Sequence, residues 1–518
     1  MSSCARREFL RLGAVGAALA ALPPWAAAQR QSELTRLTVK QASDLVRSGD
    51  VSPVQLVEAC LDRIDRYNPV LGAFITVAGD EALERARRLE AERQSGALRG
   101  PLHGIPIALK DNIDTAGILT TGGSALFANR VPAEDSRAVD RLKAAGAIIV
   151  GKLNLHEFAL GGTSAVNHVG PVRNPWDLDR HPGGSSGGNA AAMAAELCFG
   201  SLGTDTGGSI RIPAAYCGVV GLKPTYGLVS NRGVIPNSWS FDCVGPMTRT
   251  VEDAALMLEA IAGYDEQDPT SADVAVGDYQ GAIGRDTSGL RVGVPRSSFF
   301  DGLEPDVARA VESALGVIRD LVAVVSEVEI PASRGLSIAG AEIYAYHGPW
   351  VTESPDLYQE PTRRIVLSGA DARADDYIEG LRDVTLARRE IGKIFASIDL
   401  LVTPTTGGVA GPLPSSAEAP GGGADLGRGG RGGRGGPGRG GGGRGGGRGG
   451  GGGGFANTSY FSFYGLPAVS VPCGFTAEGL PIGLQIAGAP FADATVLSLA
   501  HAYEQATQWH TRRPDPAI

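Results

Sequence analysis

Residues 183–188 read Gly183-Gly184-Ser185-Ser186-Gly187-Gly188, and residues 203–213 read Gly203-Thr204-Asp205-Thr206-Gly207-Gly208-Ser209-Ile210-Arg211-Ile212-Pro213. Without a Cβ in the way, successive backbone N–H groups can converge on one point, so Thr206-Gly207-Gly208-Ser209 can offer a nest for an oxyanion beside a serine hydroxyl. Serine is a weak nucleophile until a neighbour takes its proton, and a lysine can do so only where burial lowers its pKa. Lys110 fits that need: it ends the apolar run Gly104-Ile105-Pro106-Ile107-Ala108-Leu109 and would be carried inward on a strand end.

Outward from these clusters the chain alternates between two periodicities. Helical spacing runs over Ser43 to Tyr67, where Ser52-Pro53 resembles an N-cap followed by proline, and a second helix is expected from Asp80 to Gln94. Strands are expected at Ile105 to Leu109 and Ala147 to Val150, and helices at Ala138 to Ala145 and Asn189 to Glu196. Leu290 to Val294, Pro305 to Leu321 and Val324 to Ile330 repeat the order strand, helix, strand. Further strands are expected at Asp399 to Thr403 and Ala468 to Val471, and a closing helix at Ala494 to Thr507. Such alternation predicts an α/β fold.

The chain has 518 residues, 43% hydrophobic and 20% charged, with a formal net charge of −9. That acidic balance gives no electrostatic support for nucleic-acid binding. The six cysteines show no C-x-x-C pairing, so packing is their expected role. At the N-terminus Arg6-Arg7 precedes an apolar run from Leu12 to Leu22 and then Ala26-Ala27-Ala28. In form this is a twin-arginine signal over residues 1–28, which predicts export to the periplasm by the twin-arginine translocation machinery. The remainder, 29–518, reads as one catalytic domain. Within it, Gly421 to Gly454 is almost all glycine and arginine, a composition expected to be a disordered surface insertion. An RGG-type nucleic-acid-binding segment is the other reading of the tract.

Metal chemistry finds no support: His156-Glu157 lacks the second histidine of a zinc motif, and no cofactor site is expected. The two clusters instead resemble the core motif of the amidase signature family. The resemblance extends over Gly104-Ile105-Pro106 to Lys110-Asp111-Asn112, Gly151-Lys152-Leu153-Asn154 with Glu157-Phe158-Ala159, Asn174-Pro175-Trp176, Gly221-Leu222-Lys223-Pro224-Thr225 and Gly465-Leu466-Pro467 to Pro472. It implies a large mixed β-sheet core covered by α-helices on both faces. It also implies a Ser-Ser-Lys triad, in which Ser209 attacks the carbonyl, Ser185 relays its proton across a cis peptide bond with Gly184, and Lys110 accepts it. The N–H groups of Thr206, Gly207, Gly208 and Ser209 would hold the oxyanion, Asp205 and Arg211 would brace the loop, and Ser186 would support it.

The expected reaction is hydrolysis of a linear carboxylic amide through an acyl-enzyme on Ser209, releasing ammonia or an amine from a small-molecule or peptide substrate, with no nucleic-acid partner. Thr163 and Ser164 are candidate substrate-lining residues, as are the aromatics Tyr344, Tyr346, Trp350 and Tyr358. Three alternatives stand beside this reading. Gly183-Gly184-Ser185-Ser186-Gly187 also fits G-x-S-x-G, the nucleophile elbow of α/β-hydrolase esterases; that would make Ser185 the nucleophile and need His347, His501 or His510 as base, leaving Lys110 and the second cluster unexplained. The amidase component of a tRNA amidotransferase shares the family but conflicts with export. A binding protein using the glycine-arginine tract would leave the triad unused.

Overall fold

The computed structural model describes residues 33–331, 336–414 and 453–515. The expected signal segment therefore lies outside the described residues, as does the glycine-rich tract except for Gly453 and Gly454, where a helix begins.

Among the described residues eleven strands form one mixed sheet. They are β1 (Phe74–Val77), β2 (Pro106–Lys110), β3 (Ile148–Leu153), β4 (Gly200–Asp205), β5 (Val220–Lys223), β6 (Cys243–Thr248), β7 (Arg291–Val294), β8 (Val324–Glu327), β9 (Leu400–Pro404), β10 (Ala468–Phe475) and β11 (Pro481–Gly488). Their order is β1-β3-β2-β4-β6-β5-β10-β11-β9-β7-β8. Pairing is parallel for β2 with β3 and β4 and for β7 with β8 and β9, and antiparallel elsewhere.

All five residues of β2 are buried, which is why it reads as a near-continuous apolar run. Side chains alternate across a strand, and β2 shows it: Ile107 and Leu109 enter one core cluster, Ala108 another. The first cluster gathers Leu142, Leu256, Leu315 and Leu497 from the helices Arg137–Ala144, Val251–Ile261, Pro305–Leu321 and Asp493–Thr507. The second gathers Leu89, Ala191 and Ala214 from Gly79–Gln94, Gly187–Ala194 and Arg211–Cys217. The same alternation puts Lys110 on the face of Ala108, toward the helix Gly187–Ala194.

The expected helix over Ser43 to Tyr67 is two, Val39–Ser48 and Pro53–Leu71. Gly49, at φ 83, stops the first, and Ser52 opens the second by accepting from Gln55 N. Strands β5, β6 and β11 and the helices Leu336–Glu353, Glu360–Ser368 and Ala374–Ile394 are additions to the sequence reading. Cys60, Cys198, Cys217, Cys243 and Cys473 are buried free thiols.

Candidate active site

The parallel strands β2 and β4 end side by side, so Lys110 and Thr204-Asp205 arrive together beneath the segment 183–187. Lys110 is fully buried, its Nζ 2.7 Å from Ser185 Oγ and 2.8 Å from Thr204 Oγ1. Burial brings its amine down to about 7, although the carboxylates of Asp205 and Asp242 pull the other way. Such an amine can be neutral near physiological pH, the state in which it accepts a proton.

The Gly184–Ser185 peptide bond is cis, and Ser185 is fully buried. Ser186 joins the two clusters: its N–H donates to Ser209 O at 3.1 Å and its hydroxyl to Thr204 O at 3.2 Å. A Cβ on Gly184 would come within 2.8 Å of Thr163 N, so glycine alone lets the two loops approach.

Ser209 lies 4% exposed between β4 and the helix Arg211–Cys217. Asp205 shapes the turn, its oxygens accepting from Gly208 N at 2.8 Å and Ile210 N at 3.1 Å. Arg211 grips the same carboxylate with Nε and Nη2 at 3.0 and 2.9 Å, and reaches Thr458 O, Gln485 Oε1 and Ser462 Oγ. Burial alone would raise the Asp205 carboxyl; the Arg211 charge and bonds hold it down to about 2. One expected oxyanion donor changes role here: the Gly208 N–H is taken by Asp205. Thr206, Gly207 and Ser209 are the members of the expected set that this brace does not claim.

Several residues outside the two clusters set the loop. Thr206 Oγ1 donates to Asp242 at 2.5 Å, and Thr458 Oγ1 to Gly207 O at 2.6 Å. Burial pushes the Asp242 carboxyl up to about 6, with Glu342 adding to the rise, while bonds from Thr206, Asn237 N and Ser238 N oppose it. Glu342 in turn accepts from Ser238 Oγ, Ser240 Oγ and Tyr377 Oη. This chain of contacts ties the helices Leu336–Glu353 and Ala374–Ile394 to the nucleophile loop. No local motif marks Asp242, Glu342 or Thr458, because each arrives from a distant part of the sequence.

Other expectations are redistributed. Ser164 does not face substrate: it is fully buried, with Oγ donating to Ser185 O and accepting from Gly187 N. Thr163 is half-buried, its hydroxyl 3.4 Å from His156 Nδ1. Tyr344, Tyr346, Trp350 and Tyr358 pack with Phe127 and Phe158 in an aromatic cluster, Tyr346 and Trp350 meeting edge to face at 5.0 Å. The elbow reading loses its base: Ser185 Oγ meets a lysine, while His347 lies within the aromatic cluster, Nδ1 3.1 Å from Tyr358 Oη. Among the described residues no group of three or more potential ligands could hold a metal ion.

This arrangement defines a serine-lysine amidase site, and the comparisons with known proteins agree. Residues 55–419 and 454–497 match the family model described as Amidase, so the chain belongs to the amidase family. It is 41% identical over 517 residues to the amidase-family component of glutamyl-tRNA(Gln) amidotransferase from Moorella thermoacetica, covering 94% of this chain and 100% of that one. Among solved structures, native peptide amidase from Stenotrophomonas maltophilia superposes with TM-score 0.77 at 32% identity, over 93% of this chain and 99% of that one. The corresponding glutamyl-tRNA(Gln) amidotransferase component from Thermotoga maritima superposes with TM-score 0.70 at 31% identity, over 93% and 98%.

These findings correct two expectations. Relatives named as a component of a tRNA amidotransferase overturn the expectation of a small-molecule substrate alone with no nucleic acid. The same relatives overturn the exported, periplasmic location and its translocation partner, since tRNA is not met outside the cell.

Proposed function

We propose that this chain cleaves a carboxamide C–N bond through an acyl-enzyme on Ser209. The observation that carries the reading is the fully buried Lys110 amine, 2.7 Å from Ser185 Oγ with its pKa brought down to about 7 by burial. Neutral Lys110 takes the Ser185 proton as Ser185 takes that of Ser209, whose Oγ then bonds to the amide carbon. The N–H groups of Thr206, Gly207 and Ser209 meet the negative oxygen, a type of contact worth about a hundred- to a thousandfold in rate per donor. The lysine's extra proton returns through Ser185 to the departing nitrogen, which cannot leave as an anion. Water then repeats the sequence on the acyl-enzyme, returning Ser209 to its hydroxyl.

The relatives' name supports a finer version: the amide is a nitrogen donor, and the ammonia passes to glutamyl-tRNA within a complex in which this chain is the amidase component. A free-standing amidase is the second version, favoured by the higher TM-score with peptide amidase than with the solved amidotransferase component. Ammonia or amine release by the purified full chain tests what both share. Ser209→Ala lowers the rate by at least about a thousandfold, and Lys110→Ala or Ser185→Ala by about a hundredfold or more. A Ser209→Ala chain that keeps its rate sinks the proposal.

A further inference from the structure

Phe455 occupies a telling place beside the nucleophile loop. Its ring is wedged between two glycine-bearing loops: Cε2 lies 2.6 Å from where a Cβ on Gly162 would stand, and Cδ1 3.6 Å from the corresponding point on Gly207. The half-buried ring packs on the cluster formed by Ile212, Tyr216 and Ala410. Ile212 follows Ser209 by less than one helical turn, so this apolar wall continues the floor of the nucleophile's own helix.

The polar and charged groups around that wall are already committed. Arg211 and Asp205 hold each other, and Thr458 Oγ1 donates to Gly207 O. His181 Nδ1 accepts from Gly183 N, and its imidazole is pushed down to about 4 by burial and by Arg180, which leaves it neutral. The two charged side chains that reach the loop 407–411 are also spent: Arg180 on Asp177 and Ala410 O, and Glu304 on Val409 N. A zwitterionic amino-acid head placed against Phe455 would lose hydration with no counter-charge to replace it, whereas an aliphatic or aryl group would gain from leaving water.

We propose that Phe455, with Ile212, Tyr216 and Ala410, forms a specificity subsite for an uncharged apolar acyl group of the amide substrate. The subsite rests on the amide-hydrolysis reading above and distinguishes its two finer versions. Where a pocket selects by apolar contact, one or two methylenes change kcat/KM by about tenfold or more.

The test compares kcat/KM of the full chain for hexanamide, 4-phenylbutanamide and L-glutamine, with propionamide as a small reference. Wild type prefers the two apolar amides over L-glutamine by at least about tenfold. Phe455→Ala loses that preference while keeping its rate on propionamide, and Phe455→Leu, which retains apolar bulk, keeps most of it. L-Glutamine hydrolysed as well as the apolar amides, or an unchanged ratio in Phe455→Ala, overturns the subsite and leaves amide hydrolysis standing. No turnover of any amide, together with no covalent labelling of Ser209 by a fluorophosphonate, overturns the hydrolase reading and the subsite with it.

Discussion

At the scale of single residues the site depends on what burial does to ionisable groups. Lys110 must be neutral to act as a base, so kcat/KM is expected to rise with pH through about 7, as the ammonium loses its proton, and then to level off. Asp205, Asp242 and His156 are the titratable groups whose charge couples to that amine. Asp242→Asn removes a negative charge that favours the ammonium, so the acidic limb of the profile moves to lower pH; a limb that stays in place or moves up contradicts this. The variant still accepts from Thr206, which separates the electrostatic effect from loss of the loop. The Asp205–Arg211 pair acts differently, as structure. Both side chains have no solvent exposure, and Arg211→Met strands a carboxylate that accepts from two backbone N–H groups. A loss of about 3–5 kcal/mol in denaturant unfolding is expected.

At the scale of elements, strands and loops differ in how much of themselves the sequence reveals. The two serine clusters and β2 were legible because the signal is local: a density of glycine unusual for any other purpose, and an unbroken apolar run ending in lysine. Strands β5 and β6 were not legible. The first is four residues long, and the second, Cys243–Thr248, carries Gly245 and Pro246 where a central strand would ordinarily show β-branched residues. The groups that aim the nucleophile loop were hidden for another reason: Thr458 meets Gly207 across 251 positions, and Asp242 meets Thr206 across 36, distances at which periodicity carries no information. Ser164 shows the converse error, since a hydroxyl near the motif was read as facing substrate when it braces Ser185 from beneath. The loop itself tolerates little. Gly208 sits at φ 138 and a Cβ there would run into Thr458 Oγ1, so Gly208→Ala is expected to lower both activity and thermal stability.

At the scale of the whole molecule, the mixed sheet holds a polar site at one end of β2 and β4 while other ionisable groups are buried far from it for packing. Glu504 is one: burial pushes its carboxyl up to about 8, with Asp253 and Glu252 adding to the rise and a bond from Val251 N opposing it. Its unfolded value is about 4.3, so the folded chain binds this proton more tightly. That contribution to stability is complete at low pH and is lost as pH rises from about 4 to about 8. Glu504→Gln keeps an acceptor for Val251 N and should be more stable than wild type at pH 8.5, by more than about 1 kcal/mol, with little difference at pH 4. Equal stability at both pH values contradicts the assignment. The central claim, however, concerns the nucleophile, and covalent capture tests it most directly. The full chain is treated with a fluorophosphonate, digested, and the modified peptide sequenced by mass spectrometry. Label on Ser209, absent in Ser209→Ala and slowed in Lys110→Ala, is the predicted result; label on Ser185, or equal labelling with Lys110 removed, would contradict the account.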